Sequence, residues 1–155
     1  MVEADCIYVF AAGNSGTVAD DLANRLVRIG KKAVFHADSH VQAINASVMT
    51  KNDLAFAISV SGNTEDILLN LQLVKESGAS IVALTNYMKS GITKLTDDVL
   101  ICSSREFSSL YGSNSSKITQ LYALDVLFHE IVDLDRERIQ LLRDQTNNAL
   151  IDRLK

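Results

Sequence analysis

Residues 59–64 read Ser-Val-Ser-Gly-Asn-Thr and join an apolar run, Leu54 to Ile58, to a helical stretch that starts near Thr64. Such a turn can hold a phosphate. The first N–H groups of a helix have no intrahelical partners and its dipole favours negative charge, so an anion can sit there without a lysine beneath it. Ser59, Ser61 and Thr64 add hydroxyl donors, Asn63 belongs to the same ligand-binding set, and Gly62 permits close backbone approach and a positive φ. The plain alternative is a serine or threonine that only caps the helix. Three hydroxyls around one glycine exceed what a cap requires.

A second glycine-bearing turn, Ala11 to Thr17, reads Ala-Ala-Gly-Asn-Ser-Gly-Thr and follows the first apolar run. Working with the first turn on one small ligand, Gly13, Asn14 and Ser15 would meet its polyol end while residues 59–64 hold its phosphate. Gly13 and Gly16 equally suit close packing of helix on strand. A rival reading takes the turn as an AxGxxG dinucleotide fingerprint with Asp38 as the ribose acid. It is the weaker reading, because Ala11 replaces the first glycine and 155 residues leave little room for a substrate domain. No cofactor is expected.

Proton transfer between neighbouring carbons of a phosphosugar would need an acid and a base close to these turns. The candidates are His40 and Glu106, with Glu65 at the start of the helix after the phosphate turn. Each has an ordinary explanation in a polyol contact, a polar loop or a helix dipole, and a non-catalytic ligand-binding role is preferred over an aldose–ketose isomerase. His36 ends a strand and His129 lies in an apolar helix, so both read as structural. Cys6 and Cys102 lie in or beside apolar runs without CxxC spacing, as buried free thiols do, and no metal site is expected.

The elements that must position these turns are legible from periodicity. Nearly continuous apolar runs at Cys6–Ala11, Ala33–His36, Leu54–Ile58, Ser80–Leu84 and Val99–Cys102 suit strands covered on both faces. Helical spacing joins Val18, Leu22, Leu26 and Ile29 before Gly30, then Ile67, Leu71 and Val74 before Gly78, and a longer helix runs from about Ser115 to Val132. The alternation predicts a three-layer α/β/α fold on a five-stranded parallel sheet with right-handed crossovers. Ligands in such folds bind outside the carboxyl ends of the strands, where strand order reverses.

The chain suits one domain of residues 1–155, with a core over about 5–132 and a C-terminal amphipathic helix over about 135–154. That helix carries Ile139, Leu142, Thr146, Ala149, Leu150 and Leu154 at helical spacing, and it predicts a homodimer. Fifteen Lys and Arg against 19 Asp and Glu give a net charge of −4, and without a basic run the chain is a poor duplex binder by itself. No leader-like segment and no apolar stretch of about 18 residues stands out, so a cytoplasmic protein without membrane contact is expected. The loop SSREFSSLYGSNSSK could close over the ligand, with Lys117 as its nearest cation.

Together, GNSG after the first strand and SVSGNT after the third resemble the sugar isomerase (SIS) domain. The chain is most similar to the effector domain of RpiR-type bacterial transcription regulators, on DSHVQ (residues 38–42), LTNYMKSGITKLTDDVLI (84–101) and SSKITQLYALDVLF (115–128). Ala11 stands where that family usually has glycine, and Gly91 where it often has proline. The resemblance implies a flavodoxin-like sheet, a homodimer or higher assembly, a sugar-phosphate effector, and DNA contact only through a helix-turn-helix domain absent from this chain. It implicates Ser15, Ser59, Ser61 and Thr64 around the ligand, and His40 near the sugar.

Overall fold

The computed structural model describes residues 1–103 and 114–151, apart from the side chains of 150 and 151. Five strands form one parallel sheet: β1 (Ile7–Ala11), β2 (Ala33–Phe35), β3 (Leu54–Ile58), β4 (Ser80–Thr85) and β5 (Asp98–Ile101). Their order, β2-β1-β3-β4-β5, reverses between β1 and β3. In register Ile7 faces Leu54 and Ala11 faces Ile58, so the turns after β1 and β3 leave the same sheet edge side by side. Strand order reversal there opens a crevice between them. This is the doubly wound α/β architecture expected from the apolar runs.

Helices α1 (Ser15–Arg28), α4 (Ser115–Leu134) and α5 (Arg136–Ile151) cover one face of the sheet, and α2 (Ser39–Val48) and α3 (Glu65–Ser77) cover the other. On the first face Val18, Leu22 and Leu26 of α1 are buried with Leu124 and Ile131 of α4 and Ile139 of α5. On the second, Ile67, Leu71 and Val74 of α3 pack with Phe10, Ala46 and Ile81. The apolar spacing thus buries the predicted faces. Gly78 closes α3 in the left-handed region at φ 77°.

One helix lies where only a motif was expected. Asp38 begins α2 as its N-cap, its carboxylate accepting from the N–H groups of His40 at 2.8 Å and Val41 at 3.2 Å. An aspartate in this position suits a ribose contact or a cap, and Val41, Ile44 and Val48 behind it carry the helical spacing that goes with the cap. Backbone hydrogen bonds from Val41 and His40 hold the exposed Asp38 carboxyl below the ordinary carboxylate range. A lowered folded-state pKa means the cap contributes stability above the unfolded-state value and loses it as pH falls through the folded one. Asp38→Ala is therefore expected to lower the urea midpoint at neutral pH and to converge with the parent at acid pH. An equal deficit at every pH would contradict the capping role.

Two structural assignments differ from expectation. His129 is not packed inside its helix: its side chain is 75% exposed and lies 3.7 Å from Asp125, one turn earlier. Cys6 is half-buried, while Cys102 is buried as expected, and both are free thiols. Burial pushes both thiols up, so neither is an activated nucleophile.

Candidate functional site

The turn after β3 is braced by its own hydrogen bonds. Ser59 is buried, its N–H donates to the Leu84 carbonyl at 3.1 Å, and its hydroxyl accepts from Gly62 N–H at 3.1 Å. The same hydroxyl lies 3.0 Å from that of Thr64. When Ser59 donates in that pair, Thr64 keeps its own proton for the cleft, and chained hydroxyls of this kind polarise one another. Ser61 is exposed, and its hydroxyl accepts from Asn63 N–H at 3.2 Å. Its proton is left to donate outward.

The loop after β4 straps this turn down. Ile92 N–H donates to the Gly62 carbonyl at 2.8 Å, Gly91 N–H to Asn63 Oδ1 at 2.7 Å, and Asn86 N–H to the Val60 carbonyl at 3.1 Å. Gly62 has φ 65°, and a Cβ there would come within 2.3 Å of Ser90 Oγ. Its lack of a side chain therefore serves conformation and packing against Ser90. Gly91 has φ −60°, a value open to proline, but its N–H is committed to Asn63, a bond proline cannot make.

On the other wall, Gly13 takes φ 57° with open space where its Cβ would be, so its role is conformational. A Cβ at Gly16 would lie 3.4 Å from the Phe35 ring, an ordinary contact, so α1 runs close to β2 there without demanding glycine. Asn14 is the N-cap of α1 and makes no side-chain capping bond. Ser15 is buried, and the buried Gln120 of α4 donates from Nε2 to its hydroxyl at 3.4 Å. Gln42, also buried, accepts from Ala11 N–H at 3.2 Å and donates to the carbonyls of Ala11 and His36, both at 2.8 Å. It satisfies backbone groups where β1 and β2 end, which holds the first turn in place.

Between the two turns lies an open cleft of about 240 Å³ at the β1/β3 switch point. Asn14, Ser15, Ser59, Ser61 and Thr64 line it, and none of its lining residues carries a charge. The N-termini of α1 and α3 both begin beside it, and neither Asn14 nor Thr64 caps its helix through a side chain. By contrast, Asp38 caps α2. Glu65 and Asp66 in the first turn of α3 weaken its field, whereas the first turn of α1 carries no acid. Main-chain amides and side-chain alcohols around a charge-free cleft make a site for an oxyanion that binds through donors instead of an ion pair.

The remaining expected residues fall elsewhere. Gly13, Gly62 and Asn63 shape the turns without lining the cleft. His40 sits in the first turn of α2 with its side chain 94% exposed, 3.6 Å from Asp38, and neither it nor Lys117 is in the lining. Glu106 and most of the loop expected to close over the ligand lie outside the described residues. Gln42 and Gln120 hold the first wall by hydrogen bonds that spacing alone does not reveal.

A family model for the SIS domain matches residues 1–130. The chain belongs to the SIS domain family. Among its relatives, this SIS domain is 31% identical over 145 residues to the HTH-type transcriptional regulator RpiR of Escherichia coli K12, covering 93% of this chain and 48% of the relative. It is 29% identical over 152 residues to an uncharacterized HTH-type transcriptional regulator of Haemophilus influenzae, covering 98% of this chain and 53% of that one. The SIS chain thus spans about half the length of the curated relatives it matches. In three dimensions it superposes on the Vibrio vulnificus NanR protein complexed with ManNAc-6P at TM-score 0.90 and 31% identity, covering 97% of this chain and 56% of NanR. The sugar isomerase domain of an RpiR transcription factor from Sphaerobacter thermophilus, at TM-score 0.83, 23% identity and covering 94% of this chain and 80% of that one, shares the fold.

Proposed function

We propose that this SIS domain is the effector-sensing domain of an RpiR-type transcription regulator and binds a sugar phosphate in the switch-point cleft. The phosphate sits on the 59–64 turn, against Ser61, Thr64 and the α3 N-terminus, with Ser59 bracing Thr64 from behind. The polyol lies toward Asn14 and Ser15. The observation that carries this reading is the uncharged, hydroxyl-lined cleft between two helix N-termini that no side chain caps. NanR, similar over 97% of this chain, was solved with ManNAc-6P, which supports an N-acetylated amino-sugar phosphate as the first ligand to try.

Sensing is preferred over isomerisation because the relatives similar over 93% and 98% of this chain are HTH-type transcriptional regulators. This chain forms one domain, which acts in the cytoplasm within a homodimer, and DNA is contacted by a domain outside it. Among the described residues no helix is long and apolar enough to cross a membrane. Effector binding changes DNA affinity only through different affinities for two states of the assembly.

Calorimetry with N-acetylmannosamine 6-phosphate, hexose 6-phosphates and pentose phosphates tests the reading. A phosphorylated ligand should bind at least about a hundredfold more tightly than its unphosphorylated sugar, since each hydrogen bond to a charged group is worth about 1.5 to 3 kcal/mol. Equal affinity for the two would contradict phosphate recognition, and turnover of an aldose into a ketose would replace the sensor with an enzyme.

A further inference from the structure

We propose that a second anion site, for a compact polyphosphate, lies in the groove where α1, α4 and α5 meet. Two adjoining cavities there, of about 160 and 360 Å³, share Arg25, Phe128 and Arg143 in their walls. The smaller also takes Arg28, Ile29 and Asn147, and the larger Arg136 together with one carboxylate, Asp133. Four of the arginines in the described chain thus line one groove, and no lysine does. They come from residues 25–28 and 136–143, far apart in sequence, which is why no basic run marks the site.

Arg25 already has partners. It donates to Asp125 at 2.7 Å, lies 4.0 Å from Asp21, and stacks 4.4 Å above the Phe128 ring. That locks one guanidinium in place. Arg28, Arg136 and Arg143 have no carboxylate within ion-pair distance among the described residues. Arg25 and Arg28 complement the C-terminal dipole of α1, but this does not account for the two arginines that α5 adds opposite them. Three guanidinium groups without an ion-pair partner, set against the single lining carboxylate of Asp133, leave the concavity net positive and suited to a ligand with two or more negative charges, and their planar forks suit phosphate oxygens better than lysines would.

Concave walls built from three helices favour a small anion over a duplex, whose convex surface could not enter cavities of this size. Arg28 lies at the opposite end of α1 from Ser15, so the groove is about 20 Å from the switch-point cleft at ~1.5 Å per helical residue. The proposal is therefore independent of the sugar-phosphate reading.

Calorimetry with inorganic tripolyphosphate tests it, using the full chain carrying Ser61→Asp so that the cleft does not contribute. Adding Arg28→Gln and Arg143→Gln together should weaken binding at least tenfold with an unchanged unfolding curve. Arg136→Gln alone, on the exposed first turn of α5, should weaken it severalfold and serves as the reading if the double variant unfolds. Unchanged affinity in these variants overturns the proposal. So does loss of a dimer by light scattering on making them, which would give the arginines to carboxylates of a second copy, or duplex DNA outcompeting tripolyphosphate for the same residues.

Discussion

Gly62→Ala is expected to lower the unfolding free energy by about 2 to 5 kcal/mol and to abolish sugar-phosphate binding. Two costs add. An alanine at φ 65° occupies the left-handed region, at roughly 1 to 2 kcal/mol. Its Cβ would also lie 2.3 Å from Ser90 Oγ and 2.6 Å from Ser90 Cβ, and overpacking of that kind costs about 1 to 3 kcal/mol. Ser90 cannot yield cheaply, because it is buried and its hydroxyl donates to the Tyr87 carbonyl at 2.9 Å. Any shift that relieves the clash strains the Ile92–Gly62 and Gly91–Asn63 bonds that hold the phosphate turn. A Ser90→Gly partner removes the two closest contacts, leaving Ile92 Cγ2 at 3.0 Å, and should recover up to about half of the loss in urea denaturation, with the conformational part remaining. No recovery in the double variant would show that the turn does not rest on Ser90.

The second large effect is electrostatic. Ser61→Asp should weaken sugar-phosphate binding at least about a hundredfold while leaving thermal stability unchanged or slightly raised. Ser61 is exposed and its hydroxyl already accepts from Asn63 N–H, a role an aspartate oxygen takes over readily. The new carboxylate would then occupy the donors proposed for the phosphate, beside a helix N-terminus that favours it. Facing a dianion in a cleft whose described lining has no cation to offset it, one added charge costs several kcal/mol at about 4 Å under a surface-like dielectric. A Ser61→Asp protein that binds the sugar phosphate as well as the parent does would remove residues 59–64 from the site.

Much of this arrangement is readable from residue order, and the unread parts share a cause. Strand β3 and its turn are explicit, since Leu54–Ile58 is wholly apolar and a glycine with three hydroxyls follows it. The resemblance of the two glycine turns extended that reading to the family. What local reasoning cannot see is how distant segments meet. The strap from Gly91 and Ile92, the Gln42 clamp on Ala11 and the Gln120 bond to Ser15 each join residues well separated in the chain. The arginine groove is invisible for the same reason. Helix α2 is hard to read locally for a different reason: Asp38 allows two readings, and only the fold shows its carboxylate turned back on its own helix. His129 shows the limit of hydropathy, because an apolar helix on the outer layer still exposes one face.

Backbone amide NMR on addition of N-acetylmannosamine 6-phosphate tests most directly whether the switch-point cleft is the phosphate site. Resonances of residues 13–17 and 60–65 should move together and saturate, with far smaller changes for the unphosphorylated sugar. Shifts confined to the groove between α1 and α5, or none at saturating ligand, would contradict it.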